Sequence, residues 1–272
     1  MTKTTVSNAF YAFDKLHVSP NWHRWMTANT DSFLAYRKEW VRRPEQADPG
    51  ESPLALNIEV TRKCNLKCTF CWHSELTEDQ KFDMDFDMYQ KVIDEASKIG
   101  VKSVNLNGLG EPLMAEKIFE MISYAAEAGM EDIMFHTNST NITEARARRL
   151  IDSGLTQIIF SLDTPDKKMY EQMRVNANFD KVNRNVERFI KIRNELGRTL
   201  PLVRVTMVLT EKTQKLVDEF NLKWKDSVDM VSVQDLLFSA DSNEDTQLGF
   251  QGAETAHYKI DKQEFLENQE NA

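Results

Sequence analysis

Asp132-Ile-Met-Phe-His-Thr137 is followed by Glu144-Ala-Arg-Ala-Arg-Arg-Leu-Ile-Asp-Ser153, then Gly154, then Gln157-Ile-Ile-Phe-Ser-Leu162. A short β-branched and aromatic run, a longer amphipathic run stopped by glycine, and a second short apolar run read as strand, helix, strand. The same rhythm continues on both sides of this stretch. Residues 56–61 and 103–107 read as strands before it, and 202–209 and 230–237 as strands after it. Helical patterns over 89–99, 118–128 and 182–196 end at Gly100, Gly129 and Gly197, and glycine takes the left-handed conformation of a helix stop without a Cβ clash. Six strand–helix units predict an α/β fold with a parallel sheet covered by helices. They are too few for an eight-fold barrel. They suit a partial (β/α)6 TIM-like barrel, which is the expectation here, or an open doubly wound sheet. In both, the C-terminal ends of the strands carry the chemistry.

Around this core the chain divides into three parts. Residues 1–50 read as an N-terminal helical extension: Phe33, Leu34, Tyr36, Trp40 and Val41 recur at near-helical spacing, and Pro44 and the Ala47-Asp-Pro-Gly50 turn end the run. Residues 51–240 form the core domain. Residues 241–272 are an acidic C-terminal tail with eight acids and two lysines, as compatible with disorder as with a weak terminal helix.

The 272 residues carry a net charge of −9, and 41% of them are hydrophobic. That balance fits a globular protein with a substantial core. It argues against a nucleic-acid partner, because phosphate binding wants clustered Lys and Arg. No apolar run approaches a membrane span. The opening Met1-Thr-Lys-Thr-Thr-Val-Ser-Asn lacks the apolar stretch of a secretory signal, so a cytoplasmic location is expected.

The chain has three cysteines, and all lie in Thr61-Arg-Lys-Cys64-Asn-Leu-Lys-Cys68-Thr-Phe-Cys71-Trp-His73, directly after the first strand. An odd, tight cluster is not a disulfide framework and reads as a metal site. Three thiolates can hold three irons of a [4Fe–4S] cube and leave the fourth open to a ligand. His73 offers an alternative, completing a Cys3His zinc site of a non-enzymatic interaction module. Unligated buried thiols are a third reading. An electron carrier is disfavoured, since such a protein normally fills its cluster with four protein ligands.

The C-x3-C-x2-C spacing, its place after the first strand of a βα series, and Phe70 before the last cysteine resemble the radical S-adenosylmethionine (SAM) superfamily. The resemblance covers roughly residues 31–240, with the cysteine run its most specific part. It implies an enzyme whose amino and carboxylate chelation of SAM at the open iron precedes reductive cleavage of the sulfonium, giving a 5′-deoxyadenosyl radical that abstracts hydrogen from a substrate. It also implies an electron donor such as flavodoxin or ferredoxin, and a peptide, sugar or other small-molecule substrate. Asn105-Leu-Asn-Gly108-Leu-Gly110-Glu111-Pro112 ends the second strand and is similar to the family's Gly-Gly-Glu segment for the SAM amino group, with Leu109 replacing the first glycine of the pair. By the same resemblance Asn138 and Ser161 face SAM, Asp163 lies near its ribose or the substrate, and Arg174 pairs with its carboxylate. Helix capping is the competing role for Asn138 and Asp163. Tyr170-Glu-Gln-Met-Arg174 and Tyr36-Arg-Lys-Glu-Trp40 resemble SPASM-group members. Those members carry C-terminal cysteines for auxiliary clusters, and no cysteine follows Cys71. A truncated or degenerate family member serving as a scaffold subunit is therefore a rival to the enzyme.

Overall fold

The computed structural model describes residues 14–210 and 212–235. The chain enters through β1 (Asp14–Val18), α1 (Pro20–Thr27) and α2 (Asp31–Gln46). Next come β2 (Ala55–Asn57), the cysteine loop with its two-residue β3 (Lys67–Cys68), and α3 (Phe86–Lys98). Then β4 (Ser103–Asn105), α4 (Ile118–Glu127), β5 (Asp132–Thr137), α5 (Glu144–Asp152) and β6 (Gln157–Ser161) alternate. α6 (Lys167–Met173), β7 (Arg174–Val175), α7 (Phe179–Glu195), β8 (Leu202–Leu209), α8 (Val217–Trp224) and β9 (Met230–Asp235) complete the described chain.

The sheet order is β1-β9-β8-β6-β5-β4-β2. Strands β2, β4, β5, β6, β8 and β9 are parallel neighbours in chain order. A doubly wound sheet reverses its strand order at a switch point. This sheet winds one way only, so the fold is the partial barrel.

Strand alternation divides the sheet into two chemically different faces. Ile133, Phe135, Ile158, Phe160, Val203 and Val205 belong to the main core, with Leu150, Val186 and Phe189 from the helices. Phe160 and Phe189 meet edge to face, 5.5 Å between ring centroids. The other face turns Asn105, Asp132, His136, Gln157 and Arg204 inward. Parallel strands are usually apolar on both faces, so a polar inner face marks a lined interior.

Local chemistry sets the helix ends. Thr143 caps α5 by accepting from Arg146 N, and Asn178 caps α7 by accepting from Lys181 N. Gly154 follows α5 at φ +90°, and a Cβ there would meet the Ala126 methyl at 2.6 Å. The other three helix-stop glycines also have positive φ.

Several elements depart from the pattern. The first strand stops at Asn57 rather than reaching 61: Ile58 N still donates to Asn105 O, but Met84 N then takes Val60 O and Thr61 bridges to Asp83. The second stops at Asn105. The helix expected around Phe33 to Val41 forms, but it runs through Pro44 to Gln46, ending at Ala47 in the left-handed region. Besides α2, the N-terminal extension supplies α1 and the edge strand β1, which pairs antiparallel with β9 and covers an open edge. Residues 236 and 237 of the last strand and the tail 241–272 lie outside the described residues.

Candidate active site

The cysteine loop lies over the C-terminal ends of the strands because three separate contacts tie it there. At Gly110 a Cβ would come 2.8 Å from Lys63 O and closer still to Thr61 O. Glycine therefore lets the β4 loop run directly against the cysteine loop, and Glu111 N donates to Lys63 O at 2.8 Å. The second tie is Asn138, whose Nδ2 donates to Asn65 Oδ1 at 3.0 Å and lies 3.9 Å from Cys64 Sγ. The third is β3, which pairs antiparallel with β7 so that Cys68 faces Arg174.

Glu111 organises the first two ties. It is 4% exposed. Oε1 accepts from Thr137 Oγ1 at 2.6 Å and Leu113 N at 3.2 Å, and Oε2 accepts from Asn138 N at 2.7 Å. Burial pushes its carboxyl up, against these bonds, which favour the charged form. The side chain thus joins the ends of β4 and β5, and Oε2 retains one lone pair.

On the opposite side, Arg174 Nε donates to Asp163 Oδ2 at 2.5 Å, with both side chains buried. Asp163 stands at φ +55° immediately after Leu162, and its Oδ1 is buried without a hydrogen-bond partner. Phe70 packs its ring 5.8 Å from the Arg174 guanidinium carbon. Burial acts to lower the guanidinium, but Asp163, Cys68 and Tyr170 together outweigh it and hold Arg174 above its usual range. Ser161 ends β6, half-buried, in register with Thr206 of β8. Gly108 belongs elsewhere: its Cβ position faces the Glu59 side chain, 2.6 Å from Cδ, at the β2 edge.

The donor set fits an iron–sulfur cluster. All three thiols are partly buried. Burial pushes up Cys64, and pushes Cys68 to about 12, so thiolates form there only against a compensating metal charge. Arg174, beside Cys68, offsets the negative charge of a thiolate-held cluster. Among the described residues, no three His, Cys, Asp or Glu side chains converge on a single-ion position. His73 commits Nε2 to Arg62 O at 2.9 Å.

The motif reading left out Asn65 and Thr137, which hold Asn138 and Glu111, and Thr206, whose buried hydroxyl has no hydrogen-bond partner. Two polar residues, Arg204 and Thr206, at alternate positions of a strand otherwise apolar were the available signal for Thr206.

A family model of the radical SAM superfamily matches residues 58–216. A probable GTP 3′,8-cyclase of Methanococcus maripaludis is 31% identical over 143 residues, 53% of this chain and 48% of the relative. The tungsten-containing aldehyde ferredoxin oxidoreductase cofactor-modifying protein of Pyrococcus furiosus is 27% identical over 165 residues, 60% of this chain and 46% of that protein. The chain spans about half the length of these curated relatives. Among solved structures, SuiB of Streptococcus suis bound to S-adenosylmethionine superposes with a TM-score of 0.60 at 20% identity, covering 88% of this chain and 51% of SuiB. Among the described residues no helix is long and apolar enough to cross a membrane.

Proposed function

The chain belongs to the radical SAM superfamily, whose members bind a [4Fe–4S] cluster and SAM, and from that premise we propose that it is a radical SAM enzyme acting on a small-molecule or peptide substrate. Cys64, Cys68 and Cys71 hold three irons in this reading, and the fourth iron is left to SAM. Bound together, cluster and SAM supply reductive cleavage of the sulfonium C–S bond and, from it, hydrogen abstraction. The residues of the chain position and shield that chemistry.

Arg174 carries the carboxylate end of SAM. Asp163 fixes the guanidinium through Nε, which leaves the planar Nη fork for a second carboxylate. Asp163 Oδ1 suits a ribose hydroxyl, which would give a buried acceptor the donor it lacks. Gly110 and the backbone beside Glu111 take the amino end. Glu111 acts by holding Asn138 and the cysteine loop in place. Asn138 steadies Cys64, Ser161 faces the nucleoside, and Phe70 keeps water from the Cys68 side. An external reductant of the flavodoxin or ferredoxin type supplies the electron.

The observation that supports this most strongly is the fastening of the cysteine loop to the ends of β4 and β5 and to β7 through Gly110, Glu111, Asn138 and Arg174. The test is anaerobic reconstitution, reduction and addition of SAM, followed by iron analysis, EPR and measurement of 5′-deoxyadenosine. About four irons per chain and 5′-deoxyadenosine are expected. Zinc in place of iron would support the interaction module, and a cluster that never cleaves SAM, with or without candidate substrates, would support the scaffold.

A further inference from the structure

Tyr170 is completely buried, and its hydroxyl has no hydrogen-bond partner among the described residues. Packing holds the ring, which meets Phe179 edge to face with 5.4 Å between centroids. Phenylalanine would pack there equally well. A buried hydroxyl gives up its bonds to water, and stability suffers unless something replaces them. Such an atom calls for an explanation, and a bound group that completes it is one.

The surroundings of this hydroxyl are those of the cysteine loop. Tyr170 stands one helical turn before Arg174, whose backbone N donates to Tyr170 O. The end of α6 is fastened to the loop at the same point. Thr69 N and Thr69 Oγ1 donate to Met173 O at 2.9 and 3.4 Å, and Cys68 pairs with Arg174 across β3 and β7. Burial holds the phenol above its usual range, so it stays protonated; Arg174 acts to lower it, and Asp163, Cys68 and Glu111 raise it further. Of these three acceptors, Glu111 already accepts from Thr137, Leu113 and Asn138, and Asp163 from Arg174. Cys68 differs. Cys64 has donors of its own, Asn138 Nδ2 at 3.9 Å and the Leu66 amide. The groups acting on Cys68 are the charges of Arg174, Asp163, Cys71 and Cys64, and no hydrogen-bond donor is among them.

We propose that Tyr170 tunes the cluster: once iron is bound, its hydroxyl donates a hydrogen bond to the sulfur of Cys68. The inference rests on the function proposed above as far as the cluster, and it does not require SAM cleavage. A thiol is a weak acceptor, whereas a metal-held thiolate is charged and draws a donor. One bond thus completes two groups that the chain alone leaves open. Hydrogen bonds to the sulfurs are among the features that set the potential of an iron–sulfur cluster. A donor favours the reduced cluster, which carries the extra negative charge, over the oxidised one. Tyr170 therefore eases the entry of the electron on which reductive cleavage depends.

Tyr170→Phe keeps the ring and removes the hydroxyl. The full-length wild type and variant are compared by thermal unfolding without iron, and after anaerobic reconstitution by a redox titration followed by EPR in the absence of SAM. Without iron the hydroxyl has no partner to lose, so the variant unfolds at the wild-type temperature or above it. With iron, its equilibrium constant for reduction falls about tenfold, a potential lower by ~59 mV for a one-electron couple. The midpoint does not depend on how much of the variant loads. A less stable iron-free variant would place the bond within the chain, on Asp163 Oδ1, and overturn the proposal. An unchanged midpoint also overturns it, and weaker SAM binding in that case moves the hydroxyl to the SAM carboxylate beside Arg174. A wild-type chain that loads zinc or no metal overturns this inference together with the function proposed above. A shifted midpoint in a cluster that never cleaves SAM leaves the hydrogen bond standing and removes the radical reaction alone.

Discussion

Replacing Gly110 with alanine tests whether the β4 loop positions the cysteine loop. The added methyl would lie 2.8 Å from Lys63 O and nearer still to Thr61 O. A carbon–oxygen contact of this kind settles at ~3.3 Å or more. The two backbones must therefore separate by about 0.5 Å at Lys63 and further at Thr61. Neither obstacle is the end of a flexible side chain, so no rotamer change relieves it. The Glu111 N to Lys63 O bond, now 2.8 Å, moves beyond the usual N–H···O range. Leaving its partners unpaired costs about 1–3 kcal/mol, and the overpacking a similar amount. A loss of about 2–6 kcal/mol, at ~2–4 °C per kcal/mol for a domain of this size, lowers Tm by at least about 4 °C. Because Lys63 precedes Cys64, the cluster should load poorly or bleach early in air. The assay is differential scanning fluorimetry beside iron content and absorbance after anaerobic reconstitution. A Gly110→Ala protein with wild-type Tm and full iron would refute the proposed contact between the loops.

Alanine at Cys64, Cys68 or Cys71 should abolish cluster and SAM cleavage together, and 5′-deoxyadenosine from all three variants would reject the ligand assignment. Asp163→Ala leaves the Arg174 guanidinium buried without its carboxylate and should cost ~3–5 kcal/mol, read in chemical denaturation, with weaker SAM binding; unaltered stability would show the pair to be solvated. His136 is held neutral, at about 3, by burial and then by Arg204 and Arg174. Its folded pKa lies below the unfolded value, so its contribution is complete above about pH 6.5 and is lost as pH falls toward the folded value. The slope approaches ~1.4 kcal/mol per pH unit between them. His136→Gln should flatten the fall in Tm from pH 7 to pH 5, and an identical pH profile would contradict a buried neutral imidazole.

The parts of this protein legible in its sequence are those written in short-range periods. Runs such as Gln157-Ile-Ile-Phe-Ser161 and the glycine stops locate strands and helices because burial and φ are local demands. The cysteine run was legible because metal ligation fixes residue type and spacing together. What the pattern missed depends on distant partners. β1 is five residues of ordinary alternation, made a strand by the edge of β9. β3 and β7 have two residues each and exist through one another. Glu111 read as a ligand for an amine, and the pattern did not show that its oxygens also accept from Thr137, Leu113 and Asn138, a role set by the neighbouring strand end.

The β3–β7 pair also bears on how the protein comes to hold its cofactor. Cys68 meets Arg174 more than a hundred residues further along the chain, and loop closure over such a span is entropically costly until the intervening contacts exist. A nascent chain that has exposed all three cysteines still lacks the strand that aligns one of them. If the three cysteines hold the cluster as proposed, the site is complete only once β4 to α6 have folded, and a chain arrested before residue 174 presents thiols without the cation that favours a thiolate cluster. The cysteines come early in translation, but the strand that aligns Cys68 comes late.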